Sequence, residues 1–160
     1  KVSVGVGERV GVKVSGGVNY TTNEVSNVSN PQAINREREI EIKEFNPQIR
    51  GNVAFNYDRD RWHALLRANY YGEWTDAVNN ATPTASSFDQ TFPAAWLVDL
   101  EVGYDVTESV TVTLGADNVF NTYPDKDQRL GQQANGIVYP QFSPFGFSGG
   151  YWYGRLTAKF

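Results

Sequence analysis

The chain has 160 residues, a formal net charge of −4, no Cys and no Met. That is long enough for one domain with an interior. The acidic balance argues against a nucleic-acid partner, and the lack of Cys excludes disulfides and thiolate metal sites. No run of about 18 apolar residues occurs, which excludes a transmembrane helix. A mean hydropathy of −0.47 still permits a transmembrane barrel, whose strands alternate and average out to polar. Neither an initiator Met nor an apolar leader is present, so an upstream segment is expected to precede the chain or to have been removed.

In chain order, residues 1–6 alternate, with Val2, Val4 and Val6 on one face. After Gly-Glu-Arg, Val10, Val12, Val14, Val18 and Tyr20 oppose Gly11, Lys13, Ser15, Gly17 and Asn19. Residues 21–46, rich in Asn, Ser, Thr and charge, read as a long loop, in which Ile40 and Ile42 suggest a short hairpin arm. Ile49, Gly51, Val53, Phe55 and Tyr57 then oppose Arg50, Asn52, Ala54 and Asn56. After a tight turn, Trp62, Ala64, Leu66, Ala68 and Tyr70 oppose His63, Leu65, Arg67, Asn69 and Tyr71. A second long loop covers about 73–94. Trp96, Val98, Leu100, Val102 and Tyr104 follow, opposite Asp99, Glu101, Gly103 and Asp105. A short turn leads to Val110, Val112, Leu114 and Ala116 opposite Thr111, Thr113, Gly115 and Asp117. A third long loop, about 121–147, feeds the final strand, where Trp152, Gly154, Leu156, Ala158 and Phe160 oppose Tyr151, Tyr153, Arg155, Thr157 and Lys159.

Seven strands leave connections that run short, long, short, long, short, long. Short turns on one side and long loops on the other are the pattern of an outer-membrane barrel. Counting 37–45 as an eighth strand destroys that segregation. A soluble β-sandwich also alternates, but sandwich strands are usually five or six residues long, whereas these persist for about ten. Aromatics also collect at strand ends on the apolar face, namely Tyr20, Tyr57, Trp62, Tyr70, Trp96 and Tyr104, where an interfacial girdle belongs. A charge on a lipid face costs roughly 2–4 kcal/mol near the midplane. Lys13, Arg67, Asp99, Glu101, Arg155 and Lys159 are therefore expected to face a polar lumen.

A closed single-chain bacterial barrel has an even number of strands, and open edges in lipid leave costly unpaired backbone groups. The expectation is an all-β, transmembrane, antiparallel up-and-down barrel of which residues 1–160 supply about seven strands and the rest is absent. The rivals are a self-contained eight-stranded barrel with a structural or adhesive role and a soluble β-sandwich binding module.

The segment Val98-Asp-Leu-Glu-Val-Gly-Tyr-Asp-Val-Thr-Glu-Ser-Val-Thr-Val-Thr-Leu-Gly-Ala-Asp-Asn-Val-Phe-Asn-Thr-Tyr-Pro-Asp125 resembles the C-terminal region of TonB-dependent outer-membrane receptors. Within it, Asn118-Val-Phe-Asn-Thr-Tyr-Pro124 is similar to that family's recurrent Asn-Leu-Phe-Asp motif, and residues 143–160 are similar to its last strand. The resemblance implies a barrel of about 22 strands, of which this is the C-terminal part. It also implies a plug domain and a TonB-contacting segment outside this sequence, and active uptake of a scarce ligand such as a ferric siderophore. The implied partners are the remaining strands and plug, the TonB system, outer-membrane lipid and the barrel assembly machinery, with the C-terminus periplasmic. Trp152, Leu156 and Phe160 are similar to the C-terminal signal that such barrels present for assembly.

No nucleophile–base, paired-carboxylate or His-rich constellation has a spacing that supports an enzyme, and no cofactor or metal is implied. His63, the only histidine, is read as a lumen or turn residue, and Asp125-Lys-Asp127 as a solvated turn. Tyr71, Trp74, Phe88, Tyr139, Phe142 and Phe145 lie at or beyond the long-loop ends. They are candidates for a ligand vestibule, against the plainer reading that they pack the loops together.

Overall fold

Ten-residue alternation becomes one long-stranded antiparallel sheet. A computed structural model describes residues 2–6, 10–27, 34–77, 89–128, 136 and 138–160. The strands are β1 (Val2–Val6), β2 (Val10–Tyr20), β3 (Ile49–Arg59), β4 (Trp62–Tyr71), β5 (Trp74–Asp76), β6 (Gln90–Phe92), β7 (Ala95–Asp105), β8 (Val110–Asp117) and β9 (Tyr151–Ala158), with one helix, α1 (Arg36–Glu44). Seven of them form a meander in the order β1-β2-β3-β4-β7-β8-β9, while β5 and β6 make a separate ribbon. All pairings are antiparallel and in chain order, so short and long connections do fall on opposite ends of the sheet.

Register follows from the alternation, because a slip of one residue would exchange the two faces. Pairs such as Phe55 with Leu66, Leu66 with Leu100 and Val102 with Leu114 keep apolar residues on one face across successive strands. That face is open: Leu114 is 67 % and Leu156 is 71 % exposed, and Phe55, Leu66, Leu100 and Val112 are exposed too. Besides prolines, the buried apolar side chains among the described residues are Trp74, Ala77, Phe92 and Ala116, three of them in the second long connection. A sandwich strand would cover its apolar face with a second sheet; here the apolar side of the meander is left for another medium.

The aromatic ends form two belts on that face. Tyr70 pairs with Trp96 at a centroid distance of 4.9 Å, and Trp62 with Tyr104 at 4.7 Å. Eight residues separate the belts along β4, about 27 Å at 3.4 Å per residue. At the tilt of barrel strands this is roughly 20 Å along the membrane normal, close to the apolar band of such barrels. Tyr20 and Tyr57 are exposed on the same face.

Two expectations are corrected. The Ile40–Ile42 hairpin arm is instead part of α1. The Asn35 side chain caps its start by accepting from the Arg38 N–H at 2.9 Å, and Glu39–Lys43 and Arg38–Glu41 pair at i,i+4 and i,i+3 spacing. This helix buries no side chain and is held by capping and charge rather than by an apolar stripe. With 36–44 helical, an eight-stranded barrel that uses this segment as a strand is excluded. Second, Asp127 is 1 % exposed rather than solvated, while Asp125 is exposed. The sheet itself stays open, as seven strands of a larger barrel would: β1 and β9 are its two edges among the described residues.

Candidate functional site

The face opposite the belts carries the chemistry. Lys13, Asn56, Leu65, Glu101, Gly115 and Tyr153 are successive cross-strand partners over β2, β3, β4, β7, β8 and β9. One step along, Arg67 faces Asp99. The Arg67 Nε donates to Asp99 Oδ2 at 2.8 Å and Asn69 Nδ2 donates to the same oxygen at 3.1 Å, while the Asn118 backbone N–H donates to Oδ1 at 2.9 Å. Asp99 is buried, and a buried carboxylate is tolerable only with its charge matched and its lone pairs occupied.

Glu101 is held from two strands away. The Tyr153 hydroxyl donates to its Oε2 at 2.7 Å and Arg155 Nη2 donates to Oε1 at 2.8 Å. β8 lies between, and Gly115 is the residue beneath: a Cβ there would sit 2.3 Å from Tyr153 Cζ. The bare backbone lets the phenol ring cross a whole strand. Near the short-turn end, His63 bridges two carboxylates, with Nδ1 2.8 Å from Asp58 Oδ1 and Nε2 2.8 Å from Asp105 Oδ2. Thr111 Oγ1 donates to the other Asp105 oxygen at 2.6 Å. The lone histidine thus ties β3 and β7 to β4, a role that its place beside a turn did not disclose.

At the long-loop end, the segment after β8 folds into a clip. Asn118 and Asn121 take left-handed backbone, φ 51° and 56°, which Asn tolerates better than most residues. Asn118 Oδ1 accepts from the Thr122 N–H at 2.9 Å, and its Nδ2 donates to the Thr122 carbonyl at 2.8 Å. Asn121 Oδ1 then accepts from the Gly150 N–H at 2.8 Å, joining the exit of β8 to the entry of β9. Gly149 has φ 73° and lies against Tyr123, leaving no room for a Cβ.

The vestibule candidates divide. Tyr71 contacts Phe145 at 5.4 Å between centroids, and Arg50 lies over the Tyr71 ring. Trp74 is 1 % exposed, stacked on Phe92 at 4.2 Å and edge-on to Phe45, which in turn contacts the exposed Phe142. Tyr139 stacks on Tyr123 at 5.1 Å, apart from that cluster. Phe88 lies outside the described residues. Arg36 of α1 pairs with Asp89 beside β6, so the two inner loop structures are tied together. That hydrogen bond, with the attraction of the carboxylate, holds the guanidinium above its ordinary pKa. Sequence alternation reached none of Phe45, Phe92 or Tyr123, because loop packing has no period.

The sequence profile described as "TonB dependent receptor-like, beta-barrel" matches residues 6–119. The chain belongs to the TonB-dependent receptor β-barrel family. No curated protein and no solved structure matches it. TonB-dependent receptors are outer-membrane transporters of bacteria rather than enzymes, and work with a plug domain and the TonB system. The matched span takes in β2 to β8 and the first residues of the clip. In this member of the family, Lys13 is exposed on the polar face of β2, and Lys159 lies just past β9 with its N–H bonded to the Ser109 carbonyl at 2.9 Å. Trp152 and Leu156 are exposed on the apolar side, and Phe160, two residues beyond the end of β9, is exposed as well.

Proposed function

We propose that residues 1–160 are the C-terminal part of the barrel of a TonB-dependent receptor that imports a scarce ligand, of which a ferric siderophore is the leading class. The carrying observation is the two-faced open meander. Apolar side chains and aromatic belts stand exposed on one side, and Arg67–Asp99 and Arg155–Glu101 pairs on the other. Such a sheet is stable in lipid only when both edges find partners, so β1 and β9 pair with strands of the same receptor in a barrel of about 22 strands. The apolar face meets lipid, the paired charges face the lumen, and the long connections face outward with the C-terminus periplasmic. Tyr71 and Phe145 then stand at the outer mouth of the lumen, with Trp74, Tyr139 and Phe142 in the loops above. The exposed Trp152, Leu156 and Phe160 suit recognition by the barrel assembly machinery before β9 is closed into the wall.

The test is uptake of radiolabelled ferric siderophores by cells carrying the full-length receptor, compared with the same cells lacking TonB. Uptake that disappears without TonB supports the proposal. Equal accumulation with and without the receptor across hydroxamate, catecholate and carboxylate siderophores would remove the siderophore reading.

A further inference from the structure

On the polar face, Arg67 is neutralised by Asp99 and Arg155 by Glu101. Arg50 differs. Among the described residues its guanidinium has no carboxylate partner; Nη2 donates to Asn46 Oδ1 at 3.1 Å, and the group lies 6.0 Å from the Tyr71 ring centroid. Neither an amide nor an aromatic face cancels a full charge. The register places Asn19 and Tyr71 on either side of Arg50, and one step deeper sets Gly17, Asn52 and Asn69 in a row. These six line a cleft of about 370 Å³ at the long-loop end of the polar face.

The cleft is rich in uncommitted hydrogen-bonding groups. Asn19 Oδ1 already accepts from Thr21, and Asn69 Nδ2 is committed to Asp99. That leaves the Asn19 amide donors, both ends of the Asn52 amide, Asn69 Oδ1, the Tyr71 hydroxyl and most of the Arg50 fork. Gly17 supplies a bare floor, where an added Cβ would meet nothing within 4 Å. A fixed cation flanked by an aromatic face, with amides one row below, fits a carboxylate at one end and hydroxyl or carbonyl groups about 7 Å away, the two-residue repeat of a strand.

We infer that this cleft is a ligand subsite for a carboxylate-bearing, hydroxyl-rich molecule, with the carboxylate on Arg50 and the oxygen-rich part across Asn52 and Asn69. The inference rests on the transport reading above, which makes this face the lumen. Two sources share the chemistry: an iron chelate with carboxylate arms, and an oligosaccharide of uronic acids.

The experiment is calorimetric binding to the purified full-length receptor with two probe pairs: ferric citrate against ferrioxamine B, and trigalacturonate against maltotriose. In the pair that matches the source, the anionic member binds at least about tenfold tighter than its counterpart. Arg50→Gln and Gly17→Leu each weaken it by about 10- to 100-fold, the range of a lost charge-assisted hydrogen bond. Arg50→Lys restores part of the loss. Gly17→Leu fills the cleft without touching the guanidinium, and heat-modifiable migration in gels verifies that each variant is folded. No preference for the anionic member in either pair overturns the inference, as does a preference that survives both Arg50→Gln and Gly17→Leu. TonB-dependent uptake untouched by these substitutions sinks the subsite alone, whereas intact cleft binding without any TonB-dependent uptake sinks the transport proposal alone.

Discussion

Tyr153 on β9 reaches over Gly115 on β8 to donate its hydroxyl to Glu101 on β7, at 2.7 Å. Three strands are thereby fastened by a bond that no adjacent-strand pairing rule anticipates. Gly115→Ala would place a methyl group 2.3 Å from the Tyr153 ring and expel it. The expected loss is about 1–3 kcal/mol, in the range of overpacking, read from urea titration of the full-length receptor folded in lipid vesicles. In a Tyr153→Ala background the same change should cost well under 1 kcal/mol, since the obstruction is gone. Equal costs in both backgrounds would disprove the coupling.

Asp99 accepts from Arg67, Asn69 and the Asn118 N–H. Asp99→Ala leaves the buried Asn118 N–H without its acceptor and frees the half-exposed Arg67 guanidinium to water, and should destabilise the folded barrel by about 1–3 kcal/mol. Asp99→Asn keeps the shape and one acceptor and should lose less. The same titration ranks the two variants, and an Asp99→Ala variant as stable as the parent would show that water satisfies the site.

The two faces respond oppositely to charge. Leu66→Arg, midway along β4 on the exposed apolar face, should cost about 2–4 kcal/mol in lipid. Ser15→Arg, exposed on the polar face of β2, should fall within about 0.5 kcal/mol of the parent. Similar costs at both positions would contradict the lipid assignment.

At the far end of the chain, deletion of Phe160 should leave the receptor's synthesis intact but lower its recovery in the outer-membrane fraction several-fold. Unchanged recovery would remove the assembly role of Trp152, Leu156 and Phe160.

How much of this was legible beforehand depends on whether a feature repeats. Lys13, Arg67, Asp99, Glu101 and Arg155 could be put on one face because a strand has period two, and the short turns fix each neighbour. That Arg67 would meet Asp99 needed the register, which spans a long connection whose length is not set by the pattern. In α1, Ile40 and Ile42 stand two apart and imitate a strand; the Asn35 cap and the Glu39–Lys43 spacing are the opposing signals, and they carry no apolar stripe. The stacking of Trp74 on Phe92 depends on the β5–β6 ribbon, which three-residue strands do not announce in a sequence.

The clip can be broken from either side of the Asn121–Gly150 contact. Gly149→Ala combines a left-handed backbone with a clash against Tyr123 and should cost about 1–3 kcal/mol. Asn121→Ala, which removes only the acceptor for the Gly150 N–H, should cost about 1 kcal/mol. Proteolysis within 122–148 should speed up in both variants, and no change in cleavage would deny the clip its hold on the loop base.

That hold has an evolutionary consequence. Because Asn121 and Gly150 meet at the foot of the third long connection, the ends of that loop are already brought together, and each doubling of its length costs only about 0.6 kcal/mol. Insertions, deletions and wholesale exchange of residues 124–148 can therefore accumulate without shifting the register of β8 against β9. The asparagines act as a socket: the wall keeps its register whatever length of loop is plugged into it.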